Sequence, residues 1–177
     1  MLELGAAPTV VTAHAGVELR PLQAADWPAV SEIYWDGMRT GLATFEVEVP
    51  SWDVWDAAHL PGHRFVAERY GEIVGWVALG PASTRWAYRG VAEVTLYVAA
   101  PARRSGVGRA LLEAAVANSE AEGIWTLQTS VFPENGASLG LLGACGFRVV
   151  GRRARIAKRD GIWRDTFLLE RRSPVVT

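Results

Sequence analysis

Apolar residues along the chain follow two periods, which divide it into alternating strands and helices. Short runs rich in β-branched and aromatic residues predict strands, and apolar residues spaced by three and four predict helices. We expect strands in residues 17–22, 64–80, 91–98, 124–132 and 147–171, where the second and last ranges are hairpins turning at RYGE and RDGI. We expect helices in residues 24–41, 51–60, 107–122 and 136–145.

The order of strand, loop, helix and strand over residues 91–132 is a βαβ unit, so two strands must lie parallel in one sheet. Hairpins flank this unit on both sides, and the sheet is therefore expected to be mixed. No repeat or linker interrupts the pattern. We predict an α/β fold in which residues 16–173 form a single domain and residues 1–15 a loose N-terminal arm.

Composition and charge narrow the function classes. The chain has 177 residues, a net charge of −1 and a pI near 6.3, so we expect no nucleic-acid partner. It holds no run of about 18 apolar residues, so we expect no membrane association. A single cysteine, Cys145, and a start without signal-peptide features favour a cytoplasmic location.

The eight tryptophans are many for this length. We do not expect full burial for the four that stand in polar or loop-like stretches, which are Trp52, Trp55, Trp86 and Trp163. Half-buried aromatic residues, a dimer interface and a ligand pocket are all open interpretations.

The segment RRSGVG, residues 103–108, leads from a strand into a helix and has the features of an anion site. N–H groups at a helix start attract anions, and glycine lets a ligand approach the backbone closely. A Walker loop is excluded because the chain has no Gly-Lys dipeptide, and a dinucleotide fingerprint fits poorly because Leu111 replaces its third small residue. A plain turn is the remaining alternative, but it would need neither the arginine pair nor the second glycine.

Arg103, Gly106 and Gly108 form an RxxGxG pattern that resembles the Gcn5-related N-acetyltransferases (GNAT). Other stretches follow the order seen in the phosphinothricin and methionine sulfone acetyltransferase branch, namely ATFE, GWVALGP, AYRG, EVTLYV, FPENGAS and KRDGIWRD. The resemblance implies a central mixed, mostly antiparallel sheet of about six or seven strands with helices on both faces. It also implies acetyl transfer from acetyl-CoA to the primary amine of a small amino-acid-like acceptor, such as phosphinothricin, methionine sulfoximine or methionine sulfone.

Glu93 is the candidate base that removes a proton from the acceptor amine. It stands in an otherwise apolar strand, where burial would raise the pKa of a carboxylate, and it matches the position of the family's catalytic Glu. A carboxylate that faces solvent or pairs with Arg89 is the alternative.

The resemblance also implies a site for acetyl-CoA. Backbone amides of the Glu93 strand would hold the acetyl-pantetheine arm, those of the glycine loop would hold the pyrophosphate, and an asparagine beyond the next strand would bind the arm. The matching residues are Leu96, Tyr97, Val98, Arg103, Arg104, Ser105, Gly106, Val107, Gly108, Arg109, Asn135 and Ser138. For Asn135, a helix cap is an equally open interpretation.

One position departs from the family pattern. Leu142 and Gly143 stand where His or Tyr followed by Glu is usual, and neither can protonate the departing thiolate. Water or Tyr97 would have to donate this proton. A thiol pKa of about 8.5 permits that, because the thiolate is then a tolerable leaving group. This departure leaves open a non-catalytic acyl-CoA-binding module as a rival function.

The resemblance places the acceptor near two loops. We expect it to meet Phe45, Arg85, Tyr88 and Arg89, where the arginines suit a carboxylate, although solvated surface arginines are an alternative. A protein N-terminus, a polyamine or an antibiotic amine would serve the same chemistry. No metal is expected, because His59 and His63 lack a Cys or carboxylate at ligand spacing. The resemblance and the tryptophan count favour a homodimer.

Overall fold

The computed structural model describes residues 16–177, and the predicted arm, residues 1–15, lies outside them. The strands are β1 (Glu18–Pro21), β2 (Arg64–Arg69), β3 (Glu72–Pro81), β4 (Val91–Val98), β5 (Thr126–Val131), β6 (Arg148–Arg159) and β7 (Ile162–Arg172). The helices are α1 (Trp27–Arg39), α2 (Trp52–Ala58), α3 (Val107–Ala121) and α4 (Gly136–Ala144). None of the helices in the described part of the chain is long and apolar enough to cross a membrane.

All seven strands form one sheet in the order β1-β2-β3-β4-β5-β7-β6. Only β4 and β5 are parallel, and every other neighbouring pair is antiparallel. The predicted mixed sheet with one βαβ unit is therefore confirmed. Both predicted hairpin turns are present too, with positive φ at Tyr70-Gly71 and at Asp160-Gly161, as tight hairpins require.

The two faces of the sheet bury different cores. On the α3 face, helices α3 and α4 cover side chains such as Ala92, Val94 and Leu127. On the α1 face, helices α1 and α2 cover an aromatic group that includes Trp76 and Tyr97. Side chains alternate along β4, so Glu93 lies on the same face as Tyr97.

The tryptophans divide between the core and the surface. The sequence predicted incomplete burial for Trp55, and this is wrong, because its side chain is only 2% exposed. Helix α2 lies against the sheet and brings Trp55 edge-on to Trp76, with ring centroids 5.6 Å apart. Trp86 and Trp163 remain 78% and 53% exposed, as expected.

Candidate active site

Strands β4 and β5 separate after Glu93, and this leaves one edge of β4 open. Their pairing ends where Glu93 faces Gln128, although β4 continues to Val98. The carbonyl of Gly90 accepts a hydrogen bond from β5 (Thr126 N, 3.0 Å), whereas Ala99 N donates to β3 (Val74 O, 2.9 Å). Even-numbered residues of β4 therefore direct their backbone groups toward β5, because these groups alternate between the two edges of a strand.

Of the three amides expected to hold the acetyl-pantetheine arm, two fit this geometry. The N–H groups of Leu96 and Val98 point into the opening between β4 and β5. The N–H of Tyr97 points toward β3, with which β4 pairs along its whole length, so this residue does not fit the expected role. The opening is referred to below as the β4–β5 gap.

The glycine loop follows the end of β4 directly and leads into α3. Gly106 has a φ of 89°, a left-handed conformation that favours glycine, immediately before the first residue of the helix. Gly108 has a different role, because a Cβ there would lie 3.1 Å from Leu141 Cδ2 and 3.5 Å from Val98 Cγ2. The second glycine thus lets α3 pack closely on α4 and β4, while the free N–H groups of the first turn lie beside the gap.

Two polar side chains of the loop hold its backbone, and Arg109 at the start of α3 pairs within the helix. Arg103 Nε donates to Val98 O (3.0 Å), Ser105 Oγ to Ala102 O (2.7 Å), and Arg109 Nε to Glu113 Oε1 (2.7 Å). Arg104 is exposed and has a φ of 62°, which is uncommon for a residue other than glycine. Val107, the first residue of α3, is fully buried. Anion binding at this loop would therefore rest mainly on backbone amides.

Asn135 takes the capping role that the sequence left open. Its Oδ1 accepts from Ser138 N (3.1 Å) at the start of α4, and its Nδ2 donates to Leu42 O (3.0 Å). Both polar groups of the amide are therefore used within the protein. Asn135 thereby ties α4 to residues 40–46, the first part of the connection between α1 and α2, which is called the 40–46 loop below.

Arg159 is a further residue of this region that the sequence alone did not single out. From the β6–β7 turn it donates to Met38 O (2.8 Å), to Glu46 O (2.9 Å) and to Thr44 O. The 40–46 loop also packs Phe45 edge-on to Phe132, with centroids 4.8 Å apart. The motif KRDGIWRD contains Arg159, but no local pattern reveals a contact across more than a hundred residues of chain.

Glu93 is more exposed than the apolar strand predicted, so the expected burial is wrong. Neighbouring protein atoms still remove enough water from its carboxylate to raise its pKa, and the charge of Arg153 offsets part of that effect. The alternative pairing with Arg89 is also not found. The Arg89 guanidinium instead lies over Trp86 and Trp125, at 4.5 Å and 5.2 Å from the ring centroids.

The loop before β4 carries the other residues expected to meet the acceptor. Arg85 lies over the Tyr88 ring at 5.4 Å, and these two residues and Arg89 are all exposed. The loop enters β4 only a few residues before Glu93, so its arginines lie at the same end of the strand. Phe45 belongs instead to the 40–46 loop.

The site offers few groups that could donate a proton to a leaving group. Leu142 is 6% exposed and packs in the core of the α3 face. Burial raises the pKa of the Tyr97 hydroxyl, whose ring stacks on Trp76 at 5.1 Å. Across residues 16–177, no three His, Cys, Asp or Glu side chains are grouped so as to hold a metal ion.

Comparison with known proteins finds relatives that are described as acetyltransferases. The family model described as Acetyltransferase (GNAT) family matches residues 27–147. A phosphinothricin N-acetyltransferase of Alcaligenes faecalis is 37% identical over 173 residues, covering 92% of this chain and 85% of that protein. An L-methionine sulfoximine/L-methionine sulfone acetyltransferase of Pseudomonas paraeruginosa is 27% identical, covering 85% of this chain and 91% of that protein. The crystal structure of a GNAT superfamily phosphinothricin acetyltransferase from Sinorhizobium meliloti, in complex with acetyl-CoA, superposes with a TM-score of 0.80 and 28% identity, covering 89% of this chain and 88% of that one.

Proposed function

Because the chain belongs to the acetyltransferase (GNAT) family, as its RxxGxG pattern predicted, we propose that it acetylates the primary amine of a small amino-acid-like acceptor. Dependence on acetyl-CoA follows from the family, and the acceptor class is supported by the 37% identity to a phosphinothricin N-acetyltransferase. The observation that carries the proposal is the location of Glu93 at the point where β4 and β5 separate.

The β4–β5 gap fits the arm of acetyl-CoA. The N–H groups of Leu96 and Val98 have no strand partner beyond Glu93 and can donate to amide and carbonyl oxygens along the gap. The start of α3 after Gly106 suits the pyrophosphate, because N–H groups and the helix dipole both favour an anion. When bound, acetyl-CoA supplies the acetyl group as a thioester.

Glu93 serves as the base in this proposal. An amine must lose its proton before it can attack a carbonyl, and Glu93 accepts that proton directly or through water. Only the ionised carboxylate can do so, and its pKa is raised above the ordinary value of 4.5. We therefore expect kcat/KM to fall with decreasing pH through a pKa above that of an ordinary glutamate.

Protonation of the departing thiolate needs no residue in this proposal. Leu142 carries no proton to give, and the raised pKa of Tyr97 makes its hydroxyl a weaker acid than a free tyrosine. A thiol pKa of about 8.5 makes the thiolate a stable leaving group near neutral pH, and water can protonate it afterwards.

A panel of amines with acetyl-CoA tests the proposed function through the release of free thiol. Phosphinothricin, methionine sulfoximine and methionine sulfone are expected to give higher kcat/KM than a peptide with an N-terminal alanine, a polyamine or an aminoglycoside. A higher kcat/KM for the peptide, the polyamine or the aminoglycoside would assign the acceptor to that class instead. Binding of acetyl-CoA without turnover of any amine would support the non-catalytic module instead.

Glu93→Gln tests the base. We expect kcat/KM near neutral pH to fall by about 100-fold or more, with unchanged affinity for acetyl-CoA. Glu72→Gln is the matched control, because Glu72 is an exposed glutamate at the start of β3. Equal rates for both variants would remove Glu93 as the base.

We also propose that the protein is a cytoplasmic homodimer. Strand β6 lies at the edge of the sheet, and an unpaired edge with apolar side chains favours association. The exposed apolar residues of the β6–β7 hairpin are Val149, Val150, Ile156, Ile162 and Trp163. Sedimentation should give twice the chain mass of 19.2 kDa, and Val150→Lys should shift it toward one chain. A single-chain mass for the unaltered protein would contradict the dimer.

A further inference from the structure

Arg153 belongs to β6 at the far edge of the sheet, yet its side chain reaches β5, the strand that pairs with Glu93. Its Nη2 donates to the Oγ of Ser130 on β5, across the intervening strand β7. Ser130 follows Gln128, the residue paired with Glu93, by two positions. Two residues of a strand span about 7 Å, and residues two apart point to the same face. Arg153 therefore extends its guanidinium over the α1 face toward Glu93.

Arg153 forms no ion pair with a carboxylate of residues 16–177, and its side-chain hydrogen bond there is to the neutral Ser130 hydroxyl. The Glu93 carboxylate acts on it only at longer range, without a hydrogen bond. Five other arginines of the hairpin do form ion pairs, and only Arg155 and Arg172 share the absence of one with Arg153 in the described residues. The pairs are Arg148 with Glu170, Arg152 with Asp165, Arg159 with Asp160, Arg164 with Glu134 and Arg171 with Glu120. A guanidinium has five N–H donors, so Arg153 retains donors for an anion.

The charge of Arg153 also reaches the site itself. It counteracts the rise in the pKa of Glu93, so the two charges lie within electrostatic range of each other. Arg153 is exposed, so a ligand beside Glu93 can reach it. Positive charge thus reaches Glu93 from Arg153, on the side of β5 and β6. Arg85 and Arg89 stand on the loop that enters β4 a few residues before Glu93.

This arrangement fits an acceptor with two acidic groups. The amine must lie at Glu93, and the α-carboxylate of an amino acid is bonded to the same carbon as its amine. If Arg85 or Arg89 holds that carboxylate, the side chain is the part of the acceptor that can extend toward β5 and β6. We propose that Arg153 binds an anionic oxygen group on the acceptor side chain and so sets a preference for acidic amino acids. This inference rests on the proposed function and names its substrate class more narrowly.

Two acceptors of similar length test the inference, since phosphinothricin has an anionic side chain and methionine sulfone a neutral one. In Arg153→Leu, KM for phosphinothricin should rise about 10- to 100-fold, the effect of losing a hydrogen bond to a charged group. KM for methionine sulfone should change by less than about 3-fold, and Arg153→Lys should recover part of the loss because it keeps the charge.

Arg155→Asn is the matched control, because it removes a positive charge from the same strand. Arg155 has a φ of 49°, which asparagine tolerates, and its side chain is exposed. This variant should leave KM unchanged for both acceptors. If Arg153 only braced β6 against β5, Arg153→Leu would change KM for both acceptors alike, and that result would overturn the inference.

Calorimetric titration of phosphinothricin into the protein with CoA measures the same contact without turnover. Affinity should fall in Arg153→Leu by the same factor as KM rises. Binding that depends on Arg153, without acetylation of any amine, would contradict the proposed function alone. If phosphinothricin is acetylated but binds Arg153→Leu as tightly as the unaltered protein, this inference alone is contradicted.

Discussion

Gly37 allows α1 to approach β4 closely, and its replacement by alanine is a sharp test of the packing behind the β4–β5 gap. A Cβ at position 37 would lie 2.4 Å from Cδ1 and 2.5 Å from Cε1 of Tyr97. The Tyr97 ring has little room to move, because it stacks on Trp76 with centroids 5.1 Å apart and also contacts the Tyr34 ring, with centroids 4.8 Å apart. Relief of the overlap must therefore come from α1 or from β4.

The expected magnitude follows from two opposing effects. Alanine is favoured over glycine inside a helix by about 1 kcal/mol. Overpacking of a dense core costs about 1–3 kcal/mol, and an overlap this severe belongs near the upper limit. The free energy of unfolding of Gly37→Ala should therefore fall by about 2 kcal/mol, which lowers the urea midpoint by about 1 M for an ordinary m-value. Affinity for acetyl-CoA should fall as well, because Tyr97 lies between Leu96 and Val98.

Urea unfolding followed by tryptophan fluorescence is the assay, and Gly140→Ala is the matched control. Gly140 lies inside α4, and a Cβ there would meet nothing within 4 Å. That variant should raise the midpoint, since it gains helix propensity without overlap. The double variant Gly37→Ala with Tyr97→Leu should lose less free energy of unfolding than the two single variants lose together. The difference should be at least about 1 kcal/mol. A midpoint that rises in Gly37→Ala as it does in the control would refute the packing argument.

Three further predictions concern the Arg20–Asp26 ion pair, the hydrogen bonds of Arg159 and the glycine loop. Asp26→Asn should lower the free energy of unfolding at pH 7 by about 2 kcal/mol, because Asp26 accepts two hydrogen bonds from Arg20, at 2.7 and 2.8 Å. Arg20 also holds the pKa of Asp26 below its ordinary 3.8, so the difference from the wild-type protein should shrink as the pH falls below 3.8. It should disappear only below the lowered pKa of the folded protein, and a constant difference would contradict the pair. Arg159→Met should lower the urea midpoint and speed proteolysis within the 40–46 loop more than Arg159→Lys does; equal effects would exclude its bonds to the loop. Gly106→Val should raise the Kd for acetyl-CoA about tenfold, since a φ of 89° strains any β-branched residue, and an unchanged Kd would count against the loop as the pyrophosphate site.

Most of the secondary structure was predictable because its signals are local. The helix expected over residues 107–122 is α3, Val107–Ala121, and the turn expected at RDGI is the turn between β6 and β7. Apolar spacing, glycines and β-branched runs act over a few residues, which the sequence displays directly. The parallel pair β4–β5 was predictable for a similar reason, since a strand, a helix and a strand in succession admit few topologies.

The environments of single residues were less predictable. Trp55 stands in a polar stretch, yet it is buried because α2 packs on Trp76. Glu93 stands among apolar neighbours, yet its side chain is exposed, at the position where the pairing of β4 with β5 ends. Neither outcome depends on adjacent residues in the chain. Each is set by an element that arrives from elsewhere.

The sequence by itself determined the family, the order of elements, and the positions of the glycine loop and of Glu93. Tertiary structure decided which β4 amides face the gap, that Asn135 caps α4 and holds Leu42, and that Arg153 of β6 donates to Ser130 of β5. Asn135 and Leu42 are 93 residues apart in the chain, and Arg153 and Ser130 are 23 apart. Such contacts, and the pKa values that follow from them, depend on how separate strands and loops are brought together, because electrostatic and packing forces act through space.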